Sequence, residues 1–308
     1  MATLYITHPA CHLHDMGPWH PECPGRLQAI DKHLIRSGLA NVVHTVQASE
    51  ASDADMLRIH TAGHLNYLKQ LNPQSGIADI DGDTAMCPHT LQAIRVAAGA
   101  GIQAVDALME GRHKTAFCAV RPPGHHATPD RAMGFCFINN IAVAAAYALD
   151  VHGLERVAII DFDVHHGNGT EDALAGDPRV LMCGFYQHPF YPGTRHTPPA
   201  SNMINIPVSA GTDGAELRRI ASDDWMPALR QFAPQMVFIS AGFDAHQEDD
   251  IGQLGMSEDD FAWITEQLVD LANHYAEGRV VSMLEGGYNL SALGRSAVAH
   301  IKALSKVE

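Results

Sequence analysis

Residues 157–170, VAIIDFDVHHGNGT, gather side chains that could do chemistry. Asp161, Asp163 and His165 alternate with Phe162 and Val164, and alternate side chains of an extended chain share one face. Two carboxylates and an imidazole on one face are the beginnings of a zinc site. The same run also reads as a polar strand end entering a turn, because Gly167 and Gly169 are turn residues. Three more clusters bear on the choice: RPPGHHA at 121–127 with the doublet His125 and His126, AGFDA at 241–245 with Asp244, and EGGYN at 285–289 with Tyr288.

The elements that must position these clusters follow from hydrophobic period. Short β-branched runs predict strands at 3–7, 41–46, 115–120, 157–160, 179–185, 203–208, 236–240 and 280–284. Helical spacing predicts helices at 27–35, 51–71, 89–109, 139–151 and 214–232, with a closing helix from about residue 291. Another helix starts after Ser257, an N-cap with Asp260 at the capping-box position. Residues 72–87 read as loop; their Asp79–Asp83 stretch lacks the glutamate of a calcium loop. About eight strands alternate with helices and no linker interrupts them. That predicts an α/β fold: one domain, residues 1–308, with a mostly parallel eight-stranded sheet covered by helices on both faces.

Composition narrows the function. Of 308 residues, 46% are hydrophobic and 18% charged, enough for a sizeable core. The formal charge of −15 argues against a nucleic-acid partner, which needs clustered Lys and Arg. No apolar run approaches the roughly 20 residues of a membrane span, and MATLYITHPA is not a signal peptide. Six scattered cysteines without a C-x-x-C pair suit a reduced, cytoplasmic protein.

Four strands therefore end in polar clusters, and ligands of open α/β sheets bind at the carboxyl ends of strands. Asp163, His165 and Asp244 form a metal triad. Three protein ligands with an open fourth position are the pattern of a catalytic zinc site.

Together, R-P-P-G-H-H-A, D-F-D-V-H-H-G-N-G-T, A-G-F-D-A and E-G-G-Y-N resemble the histone deacetylase family in order and spacing, its class II and bacterial members above all. The resemblance runs from 21–26 to the final helix. It implies the arginase/deacetylase fold, a narrow tunnel for an acylated amine, and a catalytic Zn²⁺ on Asp163, His165 and Asp244. It further implies that His125 and His126 are the tandem histidines and that Tyr288 is the phenol polarising the acyl carbonyl. Asp161 corresponds to the partner of His125 and Asn168 to the partner of His126, where class I relatives carry aspartate. Gly134, Phe135, Tyr191, Ile251, Gly286 and Gly287 correspond to the tunnel. A structural K⁺ on Asp161, Asp163 and His165 is implied too, although Gly184 stands where many relatives have a K⁺-binding serine.

Three other readings share parts of this pattern. Arginases hold two metals with D-x-H-x-D, but here the last position is Gly167, so one metal is expected. An acetylpolyamine amidohydrolase would share the site with a different tunnel. A non-catalytic acyl-lysine binder would be expected to lose a ligand or the tyrosine, and none is lost. Ile251 stands where polyamine-selective relatives place a carboxylate. The expected partner is thus an acylated lysine peptide, with a small acylated amine as the alternative.

Overall fold

The computed structural model describes residues 2–193 and 200–306. Its strands are β1 (Leu4–Thr7), β2 (His44–Gln47), β3 (Ala78–Asp79), β4 (Ala85–Met86), β5 (Thr115–Cys118), β6 (Val157–Asp161), β7 (Val180–Gln187), β8 (Met203–Val208), β9 (Met236–Ala241) and β10 (Val280–Leu284). The helices are α1 (Gly25–Arg36), α2 (Asp53–Met56), α3 (Ala62–Leu71), α4 (Thr90–Met109), α5 (Asn140–Asp150), α6 (Asn168–Leu174), α7 (Gly214–Ile220), α8 (Met226–Phe232), α9 (Glu258–Tyr275) and α10 (Leu290–Ser305). Eight strands form one sheet in the order β2-β1-β5-β10-β9-β6-β7-β8, and every pairing in it is parallel. The mostly parallel sheet expected from the sequence is wholly parallel. Among the described residues, no helix is long and apolar enough to cross a membrane.

The central strands β5, β10, β9 and β6 are buried along their whole length, as runs without alternation predict. Helices α4 and α5 pack together and against β5, β6, β9 and β10, whereas α1, α9 and α10 form a second packed layer. These four strands are neighbours and all parallel. Their carboxyl ends, and the four polar clusters that follow them, therefore emerge side by side.

Four local expectations change. The 51–71 helix splits, because Thr61 caps a new start at α3 with its side chain on the His64 amide, 3.2 Å. The loop 72–87 carries the small antiparallel pair β3–β4. The 214–232 helix contains a π-turn at Ala221–Trp225. A short helix, α6, begins at Asn168, which the glycines of HHGNGT obscured. The capping box at Ser257 and Asp260 forms as read.

His300 of α10 is fully buried between α9 and β10, with its nitrogens 2.6 Å from Thr265 Oγ1 and 2.8 Å from Ser282 Oγ. The rings of Phe117, Phe162 and Phe243 surround it. Burial pushes its pKa down to about 3. Between the ordinary value near 6.5 and about 3, the unfolded chain binds a proton that the folded chain refuses. Stability from this group is thus complete above pH 6.5 and lost as pH falls toward 3. His300→Gln should flatten the acid-side loss relative to the parent, read as urea midpoints between about pH 7 and 4.

Candidate functional site

The extended conformation does not continue past Asp161. The chain bends through residues 162–167, yet Asp163 and His165 still converge, by a different device. Asp161 Oδ1 accepts the Asp163 amide at 3.1 Å, and Asp163 Oδ1 accepts the His165 amide at 2.9 Å. Each carboxylate thus folds the chain two residues on, a turn that aspartate side chains build readily. Asp244, from the loop after β9, joins by accepting the Val164 amide on Oδ1, 2.9 Å.

Ligand atoms of Asp163, His165 and Asp244 all lie within 4.8 Å of one another, and the three residues are buried. His165 Nδ1 faces Asp163 Oδ1 at 2.9 Å and stands 3.2 Å from Asp244 Oδ2. Among the described residues Asp244 Oδ2 is buried and accepts no hydrogen bond. Burial and the neighbouring Asp163 push the Asp244 carboxyl up to about 7. Burial would raise Asp163 too, but His125 and His165 outweigh it and hold that carboxyl below its usual range. An orphaned carboxylate oxygen beside a second carboxylate and an imidazole is a donor set that a divalent cation would satisfy. Gly286 closes the centre: its amide donates to Asp163 Oδ2 at 2.9 Å, and a Cβ there would stand 2.0 Å from Asp244 Oδ2.

The tandem histidines face opposite partners. His125 Nδ1 lies 2.9 Å from Asp161 Oδ2, and its Nε2 lies 3.8 Å from Asp163 Oδ2. Burial disfavours its charge, yet Asp161 and Asp163 prevail and hold the imidazole well above its ordinary pKa. His126 Nδ1 lies 2.7 Å from Asn168 Oδ1, at the start of α6. Burial, then the adjacent His125 and His165, hold His126 well below its ordinary pKa. Glu285 supports the pair by accepting the Gly124 amide at 2.7 Å and the His125 amide at 3.0 Å. His166, the other half of the second doublet, turns toward Glu171, 2.9 Å away.

Tyr288 follows β10 across the centre. Its amide and that of Asn289 donate to Asp249 Oδ2 at 2.6 and 2.9 Å. Burial holds its phenol well above the ordinary value, so the proton stays on the oxygen. Phe135 meets the Tyr288 ring edge-on at 5.8 Å, and Tyr191 meets His126 edge-on at 5.1 Å. Gly134 has φ +57°, and a Cβ there would come within 2.6 Å of His126 and 2.9 Å of the Tyr191 hydroxyl. Only glycine fits that approach. Gly287 carries its carbonyl to Arg26, and Ile251 is half-buried with its amide on Asp249 Oδ1, 3.1 Å. Asp249 links the backbones of Ile251 and Tyr288.

Several residues of this assembly carry little local signal in the sequence. Phe190 stacks on His165 with centroids 5.3 Å apart; its only signal was a place beside Tyr191. Asp249 was one of three carboxylates before Ile251, with nothing local to show that it alone is buried. Arg26, Glu22 and Arg121 form a buried cluster beneath Tyr288. The Arg26 guanidinium lies 4.9 Å from the Tyr288 ring centroid and donates to the Gly287 carbonyl at 2.7 Å and to the Glu285 carbonyl. Glu22 pairs with both arginines, and Arg121 also donates to the carbonyls of Cys11 and His14 at 2.8 and 3.1 Å. Burial would raise the Glu22 carboxyl, but Arg121 and Arg26 hold it down at about 2.

Comparison with known proteins places these residues in context. A family model described as the histone deacetylase domain matches residues 20–304. A histone deacetylase-like amidohydrolase of Pseudomonas aeruginosa is 35% identical, over 94% of this chain and 77% of that protein. A probable deacetylase of Archaeoglobus fulgidus is 33% identical, over 94% of this chain and 82% of that protein. The crystal structure of the HDA15 HD domain superposes with a TM-score of 0.92 at 32% identity, covering 99% of this chain and 90% of that one.

Removing one member of a buried ion cluster leaves the others uncompensated, a cost of about 3–5 kcal/mol. Arg121→Ala should lower stability by that amount, measured by urea unfolding, because Glu22 is left with Arg26 alone and the carbonyls of Cys11, His14 and Glu22 lose a donor.

Proposed function

The chain belongs to the histone deacetylase family, and on that premise we propose that it is a zinc-dependent amidohydrolase removing acetyl or other acyl groups from lysine side chains. The observation that carries this reading is the buried trio Asp163, His165 and Asp244, whose ligand atoms lie within 4.8 Å of one another and whose Asp244 Oδ2 accepts no hydrogen bond among the described residues, with His126 and Tyr288 at hand. Asp163, His165 and Asp244 would hold one Zn²⁺. When bound, that ion supplies Lewis acidity toward the acyl oxygen and lowers the pKa of a water.

The remaining steps belong to this chain's own groups. The aliphatic stem of an acyl-lysine passes between Phe135 and Tyr191 along Gly134, with Ile251, Gly286 and Gly287 completing the wall. His126 donates from Nδ1 to Asn168 Oδ1, leaving the lone pair on Nε2. Held neutral by burial and the neighbouring His125, it takes a proton from the attacking water and returns one to the leaving amine. His125, kept cationic by Asp161 and Asp163, sets that balance. Tyr288 donates its phenolic proton in a hydrogen bond to the developing oxyanion. Glu248 pairs with Arg295 at 2.8 Å, and Asp249 accepts backbone amides, so neither carboxylate is free to meet a polyamine. An apolar Ile251 leaves a secondary ammonium without a partner, a cost of several kcal/mol, which favours acyl-lysine. All six cysteines are free, which supports the cytoplasmic assignment.

Asp244→Ala should reduce zinc from about one ion per chain to near none by elemental analysis. Full occupancy in that variant would refute the ligand assignment. Tyr288→Phe should fold normally and lose roughly 10²-fold or more in kcat. Assayed with and without chelator on acyl-lysine peptides and acetylated polyamines, the parent should prefer the peptides and Ile251→Glu should move the ratio toward the polyamines. A polyamine kcat/KM about tenfold above that of the best peptide would overturn the substrate assignment.

A further inference from the structure

Residues 17–20 form a tight turn, in which the His20 amide donates to the Gly17 carbonyl at 3.2 Å. Pro18 takes its second position and Trp19 its third, where φ is +73°. Proline followed by a positive φ is the pattern of a type II turn, whose third position asks for glycine or asparagine. A bulky side chain is strained there. Packing does not explain the choice either. Trp19 is 99% exposed, whereas Trp225 is fully buried and Trp263 half-buried. An indole held in water on a strained backbone adds nothing to the fold, and tryptophan is among the side chains that carry most energy in a binding contact.

The turn is fastened beside the candidate site. His20, next in the chain, meets Phe135 edge-on with ring centroids 4.7 Å apart, and Phe135 in turn meets Tyr288. The Glu22 amide donates to His20 Nδ1 at 3.1 Å, so the proton sits on Nε2, which donates to the Asp83 carbonyl at 3.0 Å. Gly17 lies against the same neighbouring loop, since a Cβ on it would stand 3.2 Å from Ile77 Cδ1. Segments 13–20 and 76–84 carry Asp15, Asp79, Asp81 and Asp83, none of them buried, and no lysine or arginine. We infer that Trp19 is a specificity-determining residue that receives a cationic side chain, arginine or lysine, flanking the acylated lysine of a peptide. The face of an indole attracts such a cation, and the four carboxylates around it favour the same charge. A leucine in that place would meet the indole without help from the carboxylates, and a glutamate would be repelled. The inference rests on the deacylase reading and narrows it, because the acyl-lysine enters past Phe135 while its neighbour in the peptide lies on Trp19.

The test compares acyl-lysine peptides that carry arginine, alanine, leucine or glutamate at the residues flanking the acyl-lysine, assayed on the zinc-loaded protein. At one flanking position or more, arginine should exceed alanine in kcat/KM by about fivefold, the gain expected of an exposed cation–π contact. That gain should shrink as salt rises from about 0.05 to 0.5 M. Trp19→Ala should bring the arginine-to-alanine ratio to about one, and Trp19→Phe, which keeps a weaker aromatic face, should hold part of it. Calorimetric titration of the same peptides into zinc-loaded Tyr288→Phe should give the same order of Kd without turnover. A parent that turned over no acyl-lysine would thus refute the deacylase reading, while the Kd order still decides on Trp19. Trp19→Gly should melt no lower than the parent, because the indole packs on nothing and glycine suits the positive φ. Equal values for arginine and alanine at every position, a preference for leucine over arginine, an arginine gain that survives in Trp19→Ala, or a marked fall in the Tm of Trp19→Gly would each overturn the assignment.

Discussion

Four carboxylates, those of Asp161, Asp163, Asp244 and Glu285, are kept out of water at the carboxyl ends of adjacent strands. Burying one such ion costs several kcal/mol unless it is paired and hydrogen-bonded, so the surrounding structure is arranged to answer this charge. His125 answers Asp161 and lies near Asp163. Backbone amides of Gly124 and His125 answer Glu285, and the Val164 amide answers one oxygen of Asp244. The other Asp244 oxygen, 3.2 Å from His165 Nδ1, accepts no hydrogen bond among the described residues, and it faces the candidate metal centre.

The same imbalance separates the tandem histidines. They are neighbours in sequence with ring centroids 4.0 Å apart, yet one pairs with a carboxylate and the other with an amide oxygen. The charge on the first then opposes charge on the second, which pushes their proton affinities apart.

Loops rather than regular elements carry the side chains of the candidate site, and ties across long chain distances hold the loops. Arg26 grips the carbonyls of Glu285 and Gly287 from the far end of the chain. Asp249 grips the amides of Tyr288, Asn289 and Ile251. Aromatic rings also meet residues on separate loops: Phe135 against Tyr288, Tyr191 against His126, Phe190 against His165.

The sequence by itself determined the parallel α/β sheet and the residues that could do chemistry at its edge. Buried strands announce themselves as β-branched runs, and helices as apolar residues at a period near 3.6, both of them local signals. The reading went wrong where a local signal was overruled. The run Asp161–His165 looked extended, but side-chain bonds to amides two residues on bent it. The long helices at 51–71 and 214–232 were interrupted by a cap and a π-turn within otherwise helical patterns. Only the tertiary structure decided that Asp249 is buried while Glu248 and Asp250 are exposed, and that the Asn205 oxygen faces the space beside Gly184. Which polar atom is satisfied and which is left over depends on groups tens to hundreds of residues away in the chain. No sequence period records that, because it is a property of burial and distance, which exist only once the strands have been placed side by side.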